Sequence, residues 1–332
     1  MALAENAGEH FEHYESIDYL PDNSEVERVV TTGNHMAYLK IAEGCDKRCS
    51  YCIIPKIRGH FRSVPMEELL NEAKRLASEG VKELVLVAQE TTLYGKDLTG
   101  EKQLPLLLHE LCKIEGIEWI RLLYCYPEEI TDELIKVIKT EEKVCNYIDM
   151  PIQHSENRIL QRMGRRTSRE DLVAVIKKLR KEIPDITIRT TLITGFPGET
   201  KEQHKELLEF INDMEFDRLG VFTYSPEEGT PAAAMEHQID EEVKLDRQAE
   251  LMELQQDISA ELGERRIGQE LLVMIEGKVA DEDAYVGRSQ ADAPGVDGYV
   301  FVNTPETLVS GDFVRVKITG ALEYDLIGEI SQ

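Results

Sequence analysis

Nowhere in the 332 residues do about 18 apolar residues run without interruption, so no membrane-spanning helix is predicted and no membrane partner is expected. The first 30 residues also lack a basic start followed by an apolar run, and no secretory leader is read there. Positive charge is scarce: 38 Lys and Arg stand against 64 Asp and Glu, a formal net charge of −26. Such a chain repels phosphate backbones unless it gathers a local basic patch, so nucleic acid is not the expected partner and a basic polypeptide is. Six cysteines are too few for a dense disulfide framework, which points to a reducing compartment, the cytoplasm. Apolar content is ample at 42%, and the length exceeds what one compact core normally holds, so about two domains are expected.

Sparse as they are, the cysteines are not scattered. Cys45, Cys49 and Cys52 fall within eight residues, in the string CDKRCSYC. Thiolates are the usual holders of iron in a 4Fe-4S cluster, and four would close the centre, whereas three leave one iron open. Catalytic metal sites keep a position free in the same way, while structural sites are closed. Asp46, Lys47, Arg48 and Ser50 between the cysteines read as an exposed loop rather than a core strand. One alternative is zinc, held by these cysteines and His60, although structural zinc sites usually show paired CxxC knuckles and no second pair exists. Three unrelated core thiols are the other. Cys112, Cys125 and Cys145 lie far apart in apolar segments, where free cysteine behaves as a small buried hydrophobe.

Along the chain three parts are predicted. Residues 1–35 carry 8 acidic groups and no lasting periodicity, and read as an acidic lead-in or linker. Residues 36–265 alternate strand-like and helix-like segments, which predicts an α/β fold with a parallel sheet and crossover helices. Strands are expected at MAYLKIA, KELVLVA, WIRLLY, YIDM, ITIRTTLI and RLGVFTY. Between them, MEELLNEAKRLASEG places Leu69, Ala73 and Leu76 on one helical face with Gly80 as the stop. Six strand-helix units fall short of the eight of a closed barrel, so an open, partial (β/α)6 barrel is expected. A long amphipathic helix from about Asp240 to Arg265 leads to residues 266–332, where about five short strands separated by Asp, Gly and Pro turns suggest a small closed barrel.

The spacing CxxxCxxC is the signature of the radical S-adenosylmethionine enzymes, and the layout above, with the cysteine loop just after the first strand, resembles that family. The strings CDKRCSYCIIPKIRGHFRS, AQETTLYG, MPIQHS, TGFPGET and DAPGVDGYVFVN resemble its methylthiotransferase branch, over a span from about Tyr38 to the C-terminus. The resemblance implies a 4Fe-4S cluster on Cys45, Cys49 and Cys52, whose open iron binds the amino and carboxylate groups of S-adenosylmethionine and whose electron releases a 5'-deoxyadenosyl radical. It implies S-adenosylmethionine contacts from Tyr51 beside the adenine, Glu90 at the amino group and Gln153, with His154, after the fourth strand. Arg189 offers a fork for the methionine carboxylate, and Gly195 and Pro197 shape the adenosine-binding turn, with Glu199 in the same segment. A turn without a ligand is the plain alternative for the last of these, a solvated acid for Glu90, a helix cap at Ser155 for MPIQHS, and a salt bridge for Arg189. Lys56, Arg58 and Arg62 could neutralise charge near the cofactor or form a solvated basic face. No residue is singled out as a catalytic acid or base.

The last part resembles a TRAM domain, a module expected to be basic on members of the branch that modify transfer RNA. Here residues from Gly268 on hold 12 acidic and 4 basic groups, which suits a cationic target. The resemblance implies addition of a methylthio group to the β-carbon of an aspartate in a basic small-subunit ribosomal protein, with flavodoxin or ferredoxin as reductant and a monomeric chain. A transfer-RNA methylthiotransferase and a non-catalytic, zinc-containing ribosome-binding module are the alternatives. Full-length members of the branch begin with a domain holding a second cluster. This chain lacks those cysteines, so it is expected to bind one cluster and to keep the cofactor-cleaving and substrate-docking parts.

Overall fold

The structure is a computed structural model that describes Ser16 and residues 31–331. Of the acidic lead-in, therefore, most lies outside the described residues. The exceptions near the barrel are Thr32, whose hydroxyl donates to the Met36 carbonyl, and His35, which is buried and accepts from the N–H groups of Lys82 and Glu83.

Among the described residues the order begins with β1 (Met36–Lys40), β2 (Ala42–Glu43), α1 (Ile54–Arg58), β3 (Arg62–Ser63), α2 (Met66–Ser78) and β4 (Glu83–Val87). It continues through α3 (Lys96–Thr99), α4 (Leu104–Cys112), β5 (Trp119–Leu122), α5 (Asp132–Thr140), β6 (Tyr147–Asp149), α6 (Asn157–Arg162), α7 (Arg169–Glu182), β7 (Thr187–Thr194), α8 (Lys201–Met214), β8 (Arg218–Thr223) and α9 (Glu241–Glu264). All six expected strands form. β1, β4 and β5 pair in parallel, as do β6, β7 and β8, and the two sheets meet where Ile120 bridges Val144. The result is one arc of six parallel strands, open between β1 and β8.

Strand alternation divides this arc into two faces. Ala37, Leu39, Leu84, Leu86, Ile120, Leu122, Ile148, Ile188 and Leu192 point outward into the main core, where Leu69, Ala73 and Leu76 of α2 meet them as expected. Each such Leu removed from water contributes about 2 kcal/mol. Gly80 does terminate α2, with φ +99° and its N–H donating to the Ala77 carbonyl. Met36, Val85, Trp119, Leu123 and Tyr147 point inward. At the other end of the core, Ser168 and Thr200 cap α7 and α8 with reciprocal bonds to Asp171 and Gln203, which satisfies the first N–H groups of each helix.

Helix α9 forms where expected, but its buried face is not an apolar stripe. Lys244, Arg247, Gln255 and Ser259 are buried beside Leu251 and Ile258. The physical reason is the strand it covers. β8 is an edge of the arc, and Lys244, Gln248 and Gln255 donate to the carbonyls of Tyr224, Val221 and Phe216 around it.

The last part is a closed barrel of β9 (Glu270–Lys278), β10 (Ala284–Arg288), β11 (Val300–Asn303), β12 (Phe313–Ala321) and β13 (Leu326–Ile330), in the order β10-β11-β13-β12-β9. Its own core is Val273, Ile275, Tyr285, Val300, Val302, Val316, Ile318 and Leu326. It also does something the sequence did not announce: it floors the open barrel. Met274 and Ala293 pack with the inward residues of β1, β4, β5 and β6, and Phe313 meets Trp119 edge to face at 4.8 Å. Around that apolar plug lies a layer of buried charge. Glu83 accepts from Arg121 at 2.8 Å and from Arg288 at 2.6 Å, Arg218 pairs with Asp292, and Tyr147 donates to Asp297 at 2.7 Å.

Candidate active site

The floor closes the lumen at the amino ends of the strands, so chemistry is confined to the carboxyl ends, where the loops gather. The cysteine loop lies there, between β2 and α1. Ser50 is buried rather than exposed. Its N–H donates to the Met163 carbonyl at 2.8 Å, its hydroxyl to that of Arg162 at 2.7 Å, and its own carbonyl accepts from Ala232. Asp46 and Arg48 are exposed, as the loop reading requires. Lys47 reaches across to Glu129 at 2.7 Å, Glu128 at 3.1 Å and Glu90 at 3.8 Å. The loop is thus held by contacts of Ser50 and Lys47 with neighbouring elements.

Cys45 and Cys49 are buried and Cys52 is half-buried. Burial pushes the Cys45 thiol up to about 11, and the nearby Cys49 and Cys52 add to that shift by like-charge repulsion, which places the three sulfurs in one neighbourhood. Burial raises Cys52 as well, while the N–H groups of Lys47 and Ile54 bond to Cys45 and Cys52 and favour their thiolates. This donor set suits a cluster: three soft sulfurs, N–H bonds to two of them, and a cation close by. Arg165 is that cation. It is buried over the Tyr126 ring at 4.3 Å, within electrostatic reach of Cys49, and its Nε and Nη1 have no hydrogen-bond partner. Cys49 Sγ lies 3.9 Å from the Tyr126 hydroxyl. His60 is exposed and pairs with Asp46 at 2.8 Å, and among the described residues no three His, Cys, Asp or Glu side chains converge on a point where a single metal ion would sit.

Gly44 explains how the loop enters this position. Its φ is +78°, and a Cβ there would overlap the His60 carbonyl oxygen and lie 2.7 Å from that of Gly59. Gly44→Ala is therefore expected to displace Cys45 and to lower iron retained after anaerobic reconstitution by at least half, read by iron analysis.

Glu90 is fully buried. Burial raises its carboxyl to about 7 despite Thr92, which donates to Oε1 from its N–H and hydroxyl, and Lys47. Oε2 accepts no hydrogen bond. Tyr51 packs with Phe196 of the TGFPGET turn, in a cluster with Ile159, Met163 and Tyr224, so the cysteine loop and that turn are neighbours. Gln153 follows β6 with φ +71°, its N–H donating to Thr191 and its carbonyl accepting from Ile193. His154 is buried, its Nδ1 accepts from the Glu156 N–H, and the cap of α6 is Glu156, not Ser155.

Two expectations need adjustment. The space beside Gly195, where a Cβ would go, is filled by the aliphatic stem of Lys244, so the close approach there is made by α9. Pro197 is buried in the turn, and Glu199 is held by Arg247 at 3.1 Å. Arg189 donates to Asp149 from Nη1 at 2.8 Å, and its Nε lies 3.3 Å from Asp297 of the small barrel, so two of its nitrogens are engaged by carboxylates of the protein itself. Lys56 donates to the Gly229 carbonyl at 2.5 Å, while Arg58 is exposed near Glu43. Of the other cysteines, Cys125 and Cys145 are buried and Cys112 is half-buried. Arg165, Tyr126 and Tyr124 were not singled out from the sequence, because only the fold brings them to the cysteines and the lumen.

A partial parallel barrel with a three-cysteine loop at its carboxyl end and a small β-barrel beneath is the layout expected of a radical S-adenosylmethionine methylthiotransferase, and comparison with known proteins shows that class. The model of the radical SAM superfamily matches residues 39–211 and that of the TRAM domain residues 267–330. The chain belongs to the family of ribosomal protein uS12 methylthiotransferase RimO. It is 61% identical to the member from Lachnoclostridium phytofermentans over 97% of this chain and 73% of that protein. With the member from Desulfitobacterium hafniense it shares 54% identity over 92% of this chain and 68% of the relative, and with that from Clostridium perfringens 55% over 91% and 67%. Among solved structures, the radical S-adenosylmethionine methyltransferase TsrM from Kitasatospora setae overlaps 75% of this chain and 42% of its own at a TM-score of 0.49 and 16% identity.

Proposed function

We propose that this enzyme adds a methylthio group to the β-carbon of an aspartate in the small-subunit ribosomal protein uS12, in the cytoplasm, with flavodoxin or ferredoxin as reductant. The observation that carries this reading is the 61% identity, over 97% of the chain, to a relative whose name specifies uS12. The excess of 12 acidic over 4 basic residues from Gly268 on supports it, since complementary charge steers encounter with a basic ribosomal protein.

Cys45, Cys49 and Cys52 would hold one 4Fe-4S cluster. When bound, the cluster and S-adenosylmethionine supply the electron and the radical that the reaction needs. The protein's own residues do the rest. Glu90, whose buried Oε2 accepts no hydrogen bond and lies 3.8 Å from Lys47, would accept an N–H from the cofactor's amino group. Tyr51, packed in the cluster that contains Phe196 of the Gly195 and Pro197 turn, would form the apolar wall for the adenosine, and Gln153, held in its left-handed conformation from both sides, would offer its amide to the cofactor. Arg165 offsets the charge of the thiolates. Water is kept from the lumen floor by Met274, Ala293 and Phe313.

The test is mass spectrometry of uS12 and of transfer RNA after incubation with the protein, S-adenosylmethionine and reductant. A methylthio-aspartate in uS12 is expected, and a methylthio group found on transfer RNA alone would overturn the reading. Iron analysis of this chain is expected to give about four irons.

A further inference from the structure

Five described residues other than glycine have positive φ, and two of them, Tyr124 and Gln153, lie in the segments that follow β5 and β6 at the mouth of the lumen. Tyr124 is the more informative. A left-handed backbone at a bulky aromatic residue is unfavourable and persists only where the surroundings over-determine it. Here they do. The Tyr124 N–H donates to Asp149 Oδ2 at 2.9 Å, and its carbonyl accepts from the N–H and hydroxyl of Thr91 at 3.1 and 3.0 Å. Yet the ring so placed gains little burial: it is 48% exposed, between the buried Leu123 and Cys125. Strain that serves no packing serves presentation.

The partner of Tyr124 leads away from the mouth to the floor. Asp149 is held by Arg189, Arg189 by Asp297, and Asp297 accepts from the Tyr147 hydroxyl and the Ala293 N–H. Asp297 belongs to the small barrel's loop, so that barrel is tied to the mouth by a continuous run of half-buried hydrogen bonds and ion pairs. On β8 a second ring, Phe222, is 60% exposed, and alternation with Val221, which faces the outer core, turns it to the lumen.

We propose that Tyr124 grips the polypeptide segment that enters the lumen, with Phe222 as the second aromatic contact, and that Asp297, Arg189 and Asp149 position it from the small barrel. This rests on the reading of uS12 as substrate. Tyr124 is a substrate-binding residue, and Asp149, Arg189 and Asp297 are positioning residues. Exposed aromatics would also stack on a nucleobase, but a chain of net charge −26 favours a basic polypeptide.

The experiment compares wild type, Tyr124→Gly and Arg189→Lys for Kd toward purified uS12 and toward transfer RNA, for KM of S-adenosylmethionine, for iron content and for Tm. Glycine adopts the backbone of Tyr124 without strain, so Tyr124→Gly is expected to keep iron content and Tm while its Kd for uS12 rises about ten-fold or more. Arg189→Lys is expected to weaken uS12 binding with the KM for S-adenosylmethionine unchanged. An unchanged Kd for uS12 in Tyr124→Gly overturns the inference and leaves the proposed function standing. A loss confined to transfer RNA, or a raised KM for S-adenosylmethionine as the sole effect of Arg189→Lys, also overturns it. Wild type that neither binds nor modifies uS12 overturns both.

Discussion

Alanine at Cys49 is expected to abolish iron retention and the formation of 5'-deoxyadenosine under strong reductant, while alanine at Cys112 leaves both at the wild-type level. The contrast follows from where the two thiols sit. Cys49 is buried beneath Arg165 and Tyr126, in the neighbourhood of Cys45 and Cys52, and two remaining thiolates would leave two irons without protein ligands. Cys112 ends α4 on the outer, helical side of the barrel, half-buried against the main core. Loss of iron in the Cys49 variant would not reflect unfolding of the loop, because its anchors are elsewhere: Ser50 to Met163, Arg162 and Ala232, and Lys47 to Glu128 and Glu129. Tm without iron is therefore expected to change little. About four irons retained by the Cys49→Ala protein would remove the premise on which every cofactor contact above depends. Colourless protein carrying zinc would do the same for the wild type.

That premise was legible in the string CDKRCSYC because ligand spacing is local. So were the six strands, whose apolar runs are buried on both faces, and the end of α2 at Gly80. What stayed hidden was set by long-range contact. Arg165 becomes a partner of the cysteine loop only because Gly164 lets the Arg48 backbone pass, a Cβ there lying 2.8 Å from the Arg48 carbonyl oxygen. Arg189 read as a fork for a carboxylate, and it is one, but the carboxylates are Asp149 and Asp297, the second more than 100 positions away. The polar face of α9 violates the pattern of an amphipathic helix because the edge strand beneath it needs donors, a demand no local window contains. Residues from Gly268 on show a small β-barrel by their alternation, yet nothing in that alternation says that Ala293 and Phe313 would plug another domain's lumen.

The plug explains why Glu83 carries the largest stability effect expected here. Its carboxylate is fully buried and bonded to two guanidinium groups, Arg121 from β5 and Arg288 from the small barrel. Burial alone would raise its pKa, but Arg121 and Arg288 outweigh burial and hold it below the usual glutamate value. Glu83→Gln removes the charge and keeps the shape. Arg288 retains the Glu276 carboxylate at 2.6 Å, whereas Arg121 is left without a carboxylate partner, with the Gln290 and Ser289 carbonyls and the Tyr147 ring around it. Removing one partner from such a buried group costs about 3–5 kcal/mol, because the remaining cation stays desolvated. Urea denaturation at pH 7 should show that loss, with the small barrel loosening first, since Glu83 joins β4 to it. A carboxylate whose folded-state pKa is depressed contributes stability fully above its unfolded value and loses it as pH falls through the folded one. The wild type should thus lose stability below about pH 4, and the difference between it and Glu83→Gln should shrink over the same range. A Glu83→Met, Arg121→Leu, Arg288→Met triple variant, which buries no charge at these positions, is expected to recover most of the loss. If Glu83→Gln unfolds within about 1 kcal/mol of wild type, the Glu83 ion pairs carry no structural weight, and the two barrels are held by the apolar contacts of Trp119, Phe313 and Ala293 and by the remaining ties of Asp292 and Asp297.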